Sequence, residues 1–245
     1  MKKHIDINCD VGEGVANEAE LFPYITSCSV ACGGHFGTRA TIAETVKRAV
    51  AHSVKIGAHP SYPDKNNFGR VSMDMPKKDF ICSMQSQMHA IATVLQEQKV
   101  KLHHIKPHGA LYNDMISDAL LANSFLEAIG AYKSTVYLYV PYGSAIATEA
   151  LKQGFLVTYE AFADRNYNND LSLVSRTLKS ALIKEPTLVL EHIKNMVVHQ
   201  KVRTLHKTLV PIKAETFCVH GDTSSAVEIL KCLHKELYTF TILVK

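Results

Sequence analysis

INCDVGEG, residues 7–14, begins apolar and turns polar at its far end, and the recurrence of that switch decides the fold. Five more runs end the same way: VACGGH (30–35), KIGAHP (55–60), HIKPHG (104–109), TYEAFADR (158–165) and FCVHGD (217–222). An apolar run of roughly four to six residues reads as a buried strand, and the change to His, Asp, Glu or Gly marks where the strand surfaces. Strand after strand ends in chemically capable residues, with helical stretches between them. Parallel α/β folds gather their sites at the carboxyl ends of strands, because the βα loops there converge on one rim. The pattern reads as an enzyme.

Working outward, the strand candidates are 4–9, 27–32, 54–58, 102–106, 135–140, 155–160 and 215–219. Helical patterns fall between them at 38–52, 76–99, 115–132, 143–153, 178–199 and 222–238. In the second of these Ile81, Met84, Met88, Ile91 and Leu95 step by three and four, the amphipathic period. Six of the seven strand ends look functional, which suits a closed ring better than an open sheet with its site at one switch point. The expected fold is a parallel (β/α)7 barrel, with one domain over 1–245 and a small hairpin outside the ring at 200–215.

A chain of 245 residues with 47% hydrophobic residues and a mean hydropathy near zero is an ordinary globular composition. The net charge of +4 is spread over single and paired Lys and Arg, with no basic stripe, so nucleic acid is not expected as a partner. No apolar stretch approaches the ~20 residues that span a bilayer. The opening MKKHIDINCD runs into a strand with no leader-like apolar segment. The expectation is a cytoplasmic protein without a membrane anchor. Cys9, Cys28, Cys32, Cys82, Cys218 and Cys232 lie in or beside apolar segments and read as buried free thiols. Cys28 and Cys32 lack the second pair that a structural zinc site needs.

The strand ends carry the chemistry. Asp10 and Glu13 are two carboxylates on a glycine-flanked loop beside Asn8; such pairs divide acid and base roles when their environments differ. Gly33 and Gly34 precede His35 and permit amide N–H groups to face a ligand oxygen. Gly57-Ala58-His59 repeats that arrangement, with Arg70 in the loop behind. Asp10, His35 and His59 together fit a divalent-metal set of one carboxylate and two imidazoles. Lys106 ends a buried strand, where a charged amine requires an anion. It is either a structural ion pair or a group that holds an anionic substrate, and on the second reading Lys106→Met should keep the fold. His108 follows as a proton-transfer candidate. Glu160, Asp164 and Arg165 share one strand end; Arg165 either staples the rim to a carboxylate or grips a substrate carboxylate or phosphate. His220 and Asp222 complete the ring, Asp222 having helix capping as its simpler role. No G-x-x-x-x-G-K-[ST] loop, complete G-x-G-x-x-G or G-x-S-x-G elbow is present.

The ordered set DINCDVGEG, VACGGHFG, IGAHPSYPD with FGR, IKPHGALYN, YEAFADRNY and FCVHGD resembles the LamB/YcsF family from about residue 5 to the end of the chain. The resemblance implies a barrel akin to the glycoside hydrolase/deacetylase folds and the role of the A component of a bacterial 5-oxoprolinase. That enzyme opens 5-oxo-L-proline to L-glutamate with ATP, together with separate B and C subunits. It implies catalytic roles for Asp10, Glu13, His59, Lys106, His108 and Glu160. The expected substrate-binding residues are His35, Asp164, Arg165, His220 and Asp222 from the resemblance, joined by Asn8, Gly33, Gly34 and Arg70 from the reading of the strand ends. ATP would be used with the partner subunits, a divalent metal is compatible, and so is a homo-oligomer. Two stretches depart from the family pattern. Phe36-Gly37-Thr38 stands where Ala-Gly-Asp is usual, and Asp170-Leu171-Ser172-Leu173-Val174-Ser175-Arg176 replaces Asp-Gly-x-Leu-Val-Pro-Arg. In the expected chemistry Asp10 or Glu160 activates water and His59 or His108 moves protons, while Lys106 and Arg165 hold anionic groups. The rival readings are a stand-alone metal-dependent deacetylase or amidohydrolase, and a non-catalytic subunit that presents the lactam to its partners.

Overall fold

The first strand, β1 (Lys3–Val11), shows why the ring closes. Successive strand side chains point to opposite faces, and here Ile5, Ile7, Cys9 and Val11 alternate with Asp6, Asn8 and Asp10. The apolar set is buried in the core cluster shared with the helices. The polar set reaches across the ring. Asp6 accepts hydrogen bonds from Ser27 at 2.6 Å, Thr216 at 2.6 Å and Tyr139 at 3.3 Å, groups on three other strands. Asn8 donates to Glu160 at 2.9 Å and to Thr216 at 2.7 Å. The barrel interior is therefore hydrogen-bonded rather than filled with branched aliphatic side chains.

In a computed structural model describing residues 3–245, β1 is followed by β2 (Ser27–Ala31), β3 (Lys55–His59), β4 (His104–Ile105), β5 (Tyr137–Pro141) and β6 (Leu156–Phe162). Next come β7 (Lys201–Arg203), β8 (Leu209–Pro211), β9 (Thr216–Cys218) and β10 (Ile242–Val244). Met1 and Lys2, which open the segment read above as free of a leader, lie outside the described residues. The strands β1 to β6 pair in order, all parallel, and β9 pairs with both β6 and β1, in the latter case with Asn8 opposite Cys218. The result is the closed parallel seven-strand barrel that the strand ends predict. β7 and β8 form the expected antiparallel hairpin outside it. β10 is an addition the sequence did not suggest: it runs parallel to the start of β1, Lys3 opposite Ile242.

The helices are α1 (Arg39–Ala51), α2 (Lys77–Glu97), α3 (Gly109–Asp114), α4 (Ala119–Ala128), α5 (Ala145–Gln153), α6 (Pro186–His199) and α7 (Ala226–Glu236). Their ends have local causes. Thr38 and Thr41 exchange side-chain and backbone hydrogen bonds at the start of α1, so Thr38 does the capping work that Asp also does at such positions. The helix expected over 115–132 is shorter, Ala119–Ala128, and starts late because Asp118 accepts from the amides of Leu120 and Leu121; the short α3 precedes it. α6 begins at Pro186, not near residue 178: proline suits a first helical position and pushes the preceding residue out of the helical region. Gly57 on β3 faces the ring of His104, which leaves no room for a Cβ. His104 itself stacks on Tyr139 at 4.0 Å.

All six cysteines are free, and Cys82 is exposed on α2, contrary to the expectation of burial. Its helix position explains this, since it sits between the core-facing Phe80 and Met84. No helix among the described residues is long and apolar enough to cross a membrane.

Candidate active site

The carboxyl ends of the strands surround a cavity of about 660 Å³. Lys106, one residue beyond β4, forms its floor; its amide continues the strand pattern by donating to the Ala58 carbonyl at 2.9 Å. The side chain is 2% exposed. Its ammonium lies 2.8 Å from Glu160 Oε1, 3.0 Å from Asp10 Oδ1, 3.0 Å from Asn8 Oδ1 and 3.2 Å from Cys218 Sγ. Burial disfavours the charged amine, but Asp10 first, then Cys218 and Glu160, outweigh it and hold its pKa well above the ordinary lysine value. Burial likewise works to raise Asp10, yet His59 and Lys106 keep its carboxyl well below the usual range. Lys106 is thus a cation already paired with two carboxylates before any ligand arrives. Of the two alternatives stated above, the structural ion pair is therefore present, and Lys106→Met would leave Glu160 and Asp10 without it.

Above the lysine stand three histidines. Gly12 adopts φ +74°, and the amides of Gly12 and Glu13 both donate to Glu18 Oε2, which turns Glu13 back over the ring. His35 Nε2 lies 2.8 Å from Glu13 Oε1, and its ring stacks on His108 with centroids 3.7 Å apart. Burial, reinforced by the charge of His59, lowers His35 to about 3, so it stays neutral and donates to Glu13. Burial also lowers His108 well below its ordinary value. Glu13 is raised to about 7 by burial; His59 opposes the shift, while Asp10 and Asp222 add to it. One ligand atom from each of Glu13, His59 and His108 lies within 4.8 Å of the others, a grouping of the kind that holds a metal ion. The set expected from sequence was Asp10, His35 and His59. His35 and Asp10 are not in the grouping: His35 Nε2 is engaged with Glu13 Oε1 and its Nδ1 is buried without a partner, while Glu13 and His108, the latter 2.9 Å from His59, stand in their places.

The opposite wall carries His220 and a charged rim. Asp164 is fully buried and receives the His220 amide at 2.9 Å and His220 Nδ1 at 2.8 Å, leaving Nε2 as the unengaged nitrogen of a ring that lines the cavity. Burial works to raise Asp164, and the charge and hydrogen bonds of His220 override it, so the carboxyl sits below its usual value. At the mouth, Asp222 accepts from Arg70 at 2.8 Å and Arg176 at 3.3 Å. Two guanidiniums share one carboxylate. Asp222 is therefore an ion-pair partner rather than a helix cap; α7 starts after Ser225.

Several residues expected at the site sit behind it. Asn8 and Glu160 lie under the floor, where they position Lys106. Gly33 and Gly34 do not line the cavity: the Gly33 amide donates to the Phe36 carbonyl at 2.7 Å, and Gly34 packs against Ser61 and Gln87. Arg165 lines the cavity but pairs with no carboxylate. It donates to the carbonyls of Val174 at 2.7 Å and Ala181 at 3.4 Å, and so ties down the loop that presents Arg176. In that loop Leu171 holds φ +67° at the position where the family pattern has glycine, so the left-handed turn survives the substitution. Arg176 and Cys218 were not singled out from the sequence. Cys218 was findable by strand parity, since Thr216, Cys218 and His220 alternate into the ring as Asp6, Asn8 and Asp10 do.

A lactam utilization protein from Thermus thermophilus superposes with a TM-score of 0.90 at 32% identity, over 100% of this chain and 99% of that one. A GH20 β-N-acetylhexosaminidase from Streptomyces coelicolor A3(2) gives a TM-score of 0.50 at 10% identity, covering 95% of this chain and 62% of that one, a likeness of fold alone. A family 4 carbohydrate esterase from Streptomyces lividans gives 0.49 at 10% identity, over 99% and 91%. The sequence profile of the LamB/YcsF family matches residues 5–245, and with the Thermus likeness this places the chain in the LamB/YcsF family.

Proposed function

We propose that this chain is the ring-opening subunit of an ATP-dependent 5-oxoprolinase, converting 5-oxo-L-proline to L-glutamate with B and C partner subunits. The observation that carries the reading is the buried ammonium of Lys106, which opens on a cavity with two arginines at its mouth. A cavity of about 660 Å³ admits a five-membered lactam with room for a phosphoryl group. Arg70 and Arg176 suit the substrate carboxylate. Resonance makes a lactam carbonyl a poor electrophile, and a phosphoryl group on its oxygen removes that protection. The chain carries no glycine-rich phosphate loop, so the nucleotide is assigned to the partners.

In this reading Lys106 faces the negative charge that develops as water adds to the ring carbon, a preorganised electrostatic role. His220, aligned by Asp164 as a base is aligned by its carboxylate in hydrolytic triads, takes the proton from water and returns it to the ring nitrogen as the C–N bond breaks, and a second water then hydrolyses the resulting acyl phosphate to L-glutamate and inorganic phosphate. Asp10 and Glu160 hold Lys106 in place. Glu160 is 2% exposed and lies below the cavity floor, so water activation passes from it to His220. Glu13, His59 and His108 are the residues that fit a divalent metal, which would supply positive charge beside the reacting carbonyl. That convergence also favours a second reading, hydrolysis of an amide by this chain alone without ATP.

The test is glutamate formation from 5-oxo-L-proline by the chain alone, by the partner subunits alone, and by the reconstituted set, each with and without ATP. Turnover only in the full set with ATP supports the proposal. Robust ring opening by the isolated chain without ATP would replace it with the second reading.

A further inference from the structure

His59 Nδ1 lies 2.7 Å from the Lys106 carbonyl oxygen, and His108 Nε2 lies 2.9 Å from that of Phe68. A carbonyl only accepts, so each of these nitrogens carries its ring hydrogen. When both rings are neutral, the other two nitrogens, His59 Nε2 and His108 Nδ1, face each other as lone pairs across 2.9 Å. Glu13 Oε1 stands 3.4 Å from His108 Nδ1 and 4.0 Å from His59 Nε2, and Asp10 Oδ2 stands 3.4 Å from His59 Nε2. Two imidazole lone pairs and two carboxylate oxygens converge with no donor among them. His35 gives its Nε2 hydrogen to Glu13 Oε1 and so serves that oxygen, but it leaves the two facing imidazole nitrogens and Asp10 Oδ2 without a donor.

Charge points the same way. Asp10, Glu13 and Glu160 bring three formal negative charges, and Lys106 is the one ammonium among them. One negative charge is left over while Glu13, raised to about 7, keeps its proton and two once it ionises, an arrangement that costs free energy in a largely buried ring unless a cation joins it.

We propose that Glu13, His59 and His108 hold one divalent transition-metal ion, with Asp10 beside them as a further carboxylate. Two imidazoles and a carboxylate suit zinc, cobalt, manganese or iron, whereas magnesium and calcium take all-oxygen sets. Each imidazole is anchored through its far nitrogen to a backbone carbonyl, and Glu13 is anchored by His35; such outer contacts orient metal ligands. All three ligand residues line the cavity, so the ion would face the bound substrate. The competing occupant is a single proton shared between the two rings, which supplies one positive charge rather than two.

The proposal concerns the metal, not the substrate, and its test reads binding to the chain alone. Protein stripped with chelator and dialysed is titrated with Co²⁺, followed by calorimetry and by visible absorption. One Co²⁺ per chain is expected, with ligand-field bands, displacement by Zn²⁺ and none by Mg²⁺. His108→Gln and Glu13→Gln, checked for fold by circular dichroism, should each weaken binding at least roughly a hundredfold. His220→Gln, across the cavity, should leave the stoichiometry at one. Absence of saturable Co²⁺ binding to the wild-type chain would overturn the proposal in favour of the shared proton, as would binding that is unchanged in both folded variants. Neither outcome bears on whether 5-oxo-L-proline is opened.

Discussion

Replacing Lys106 by methionine removes one positive charge and keeps nearly the same volume. The ammonium sits 2.8 Å from Glu160 and 3.0 Å from Asp10, and the Glu160 side chain is fully buried. Without the lysine, Glu160 keeps only the Asn8 amide on Oε1, while Oε2 already lacks a hydrogen-bond partner. Asp10 opens on the cavity and can recruit water, so most of the penalty falls on Glu160. Breaking a buried pair in this way costs about 3–5 kcal/mol. For a chain of this length that corresponds to roughly 6–20 °C in Tm. Lys106→Met is therefore expected to melt well below wild type at pH 7, and Lys106→Met with Glu160→Gln to recover a substantial part, because the orphaned charge is gone. Thermal melts of wild type, single and double variants at one pH measure both steps. A single variant melting within about 2 °C of wild type would refute the ion-pair argument, and so would a double variant less stable than the single.

Three further outcomes follow from the geometry. Asp164→Asn keeps the shape but loses the anion aligning His220, so turnover of the reconstituted enzyme should fall roughly a hundredfold to ten-thousandfold with KM little changed; unchanged kcat would remove His220 from proton transfer. Arg176→Gln should raise KM for the anionic substrate roughly tenfold to a hundredfold and leave the melting temperature near wild type, since Arg176 is at the exposed rim; a KM equal to wild type contradicts that role. His192 on α6 is buried with Nε2 unpartnered, and burial lowers its pKa to about 4. The unfolded chain takes up that proton first, near the ordinary histidine value of about 6.5, so stability present above that pH is lost as pH falls toward about 4. Urea melts should therefore show His192→Phe gaining on wild type by roughly 2 kcal/mol between pH 7 and pH 5, and parallel pH profiles would count against the assignment.

The strands were legible because their apolar runs are short and their polar ends abrupt, so β2, β3, β5, β6 and β9 fall within a few residues of their expected places. Helix ends were less so. The break before α4 depends on one aspartate choosing to cap, and the late start of α6 on one proline overriding an apolar pattern. At the site, residue type located the rim correctly but not the pairings. Whether Arg165 meets a carboxylate or a carbonyl depends on the path of the 166–183 loop, which no local pattern encodes. The exchange of His35 for His108 in the candidate metal group turns on which nitrogen of each ring is already engaged, a property of the folded state alone. The polar interior was encoded plainly, in the alternation of Asp6, Asn8 and Asp10, for a reading that follows strand parity rather than strand ends.

The strand that closes the barrel begins at Thr216, and its partner segment on β1 is Asp6–Asn8. During synthesis at roughly 5–20 residues per second, β1 waits about ten to forty seconds for β9 to emerge. Throughout that interval one edge of β1 is an open pairing template and Asp6 and Asn8 lack their bonds to Thr216, which invites either chaperone binding or association with neighbouring chains. Lys106 meanwhile has Asp10 available but not Cys218, so the floor of the cavity is assembled only at the last stage of folding. A ribosome-bound intermediate stalled before residue 216 would carry the histidines and the lysine and yet have no barrel to hold them.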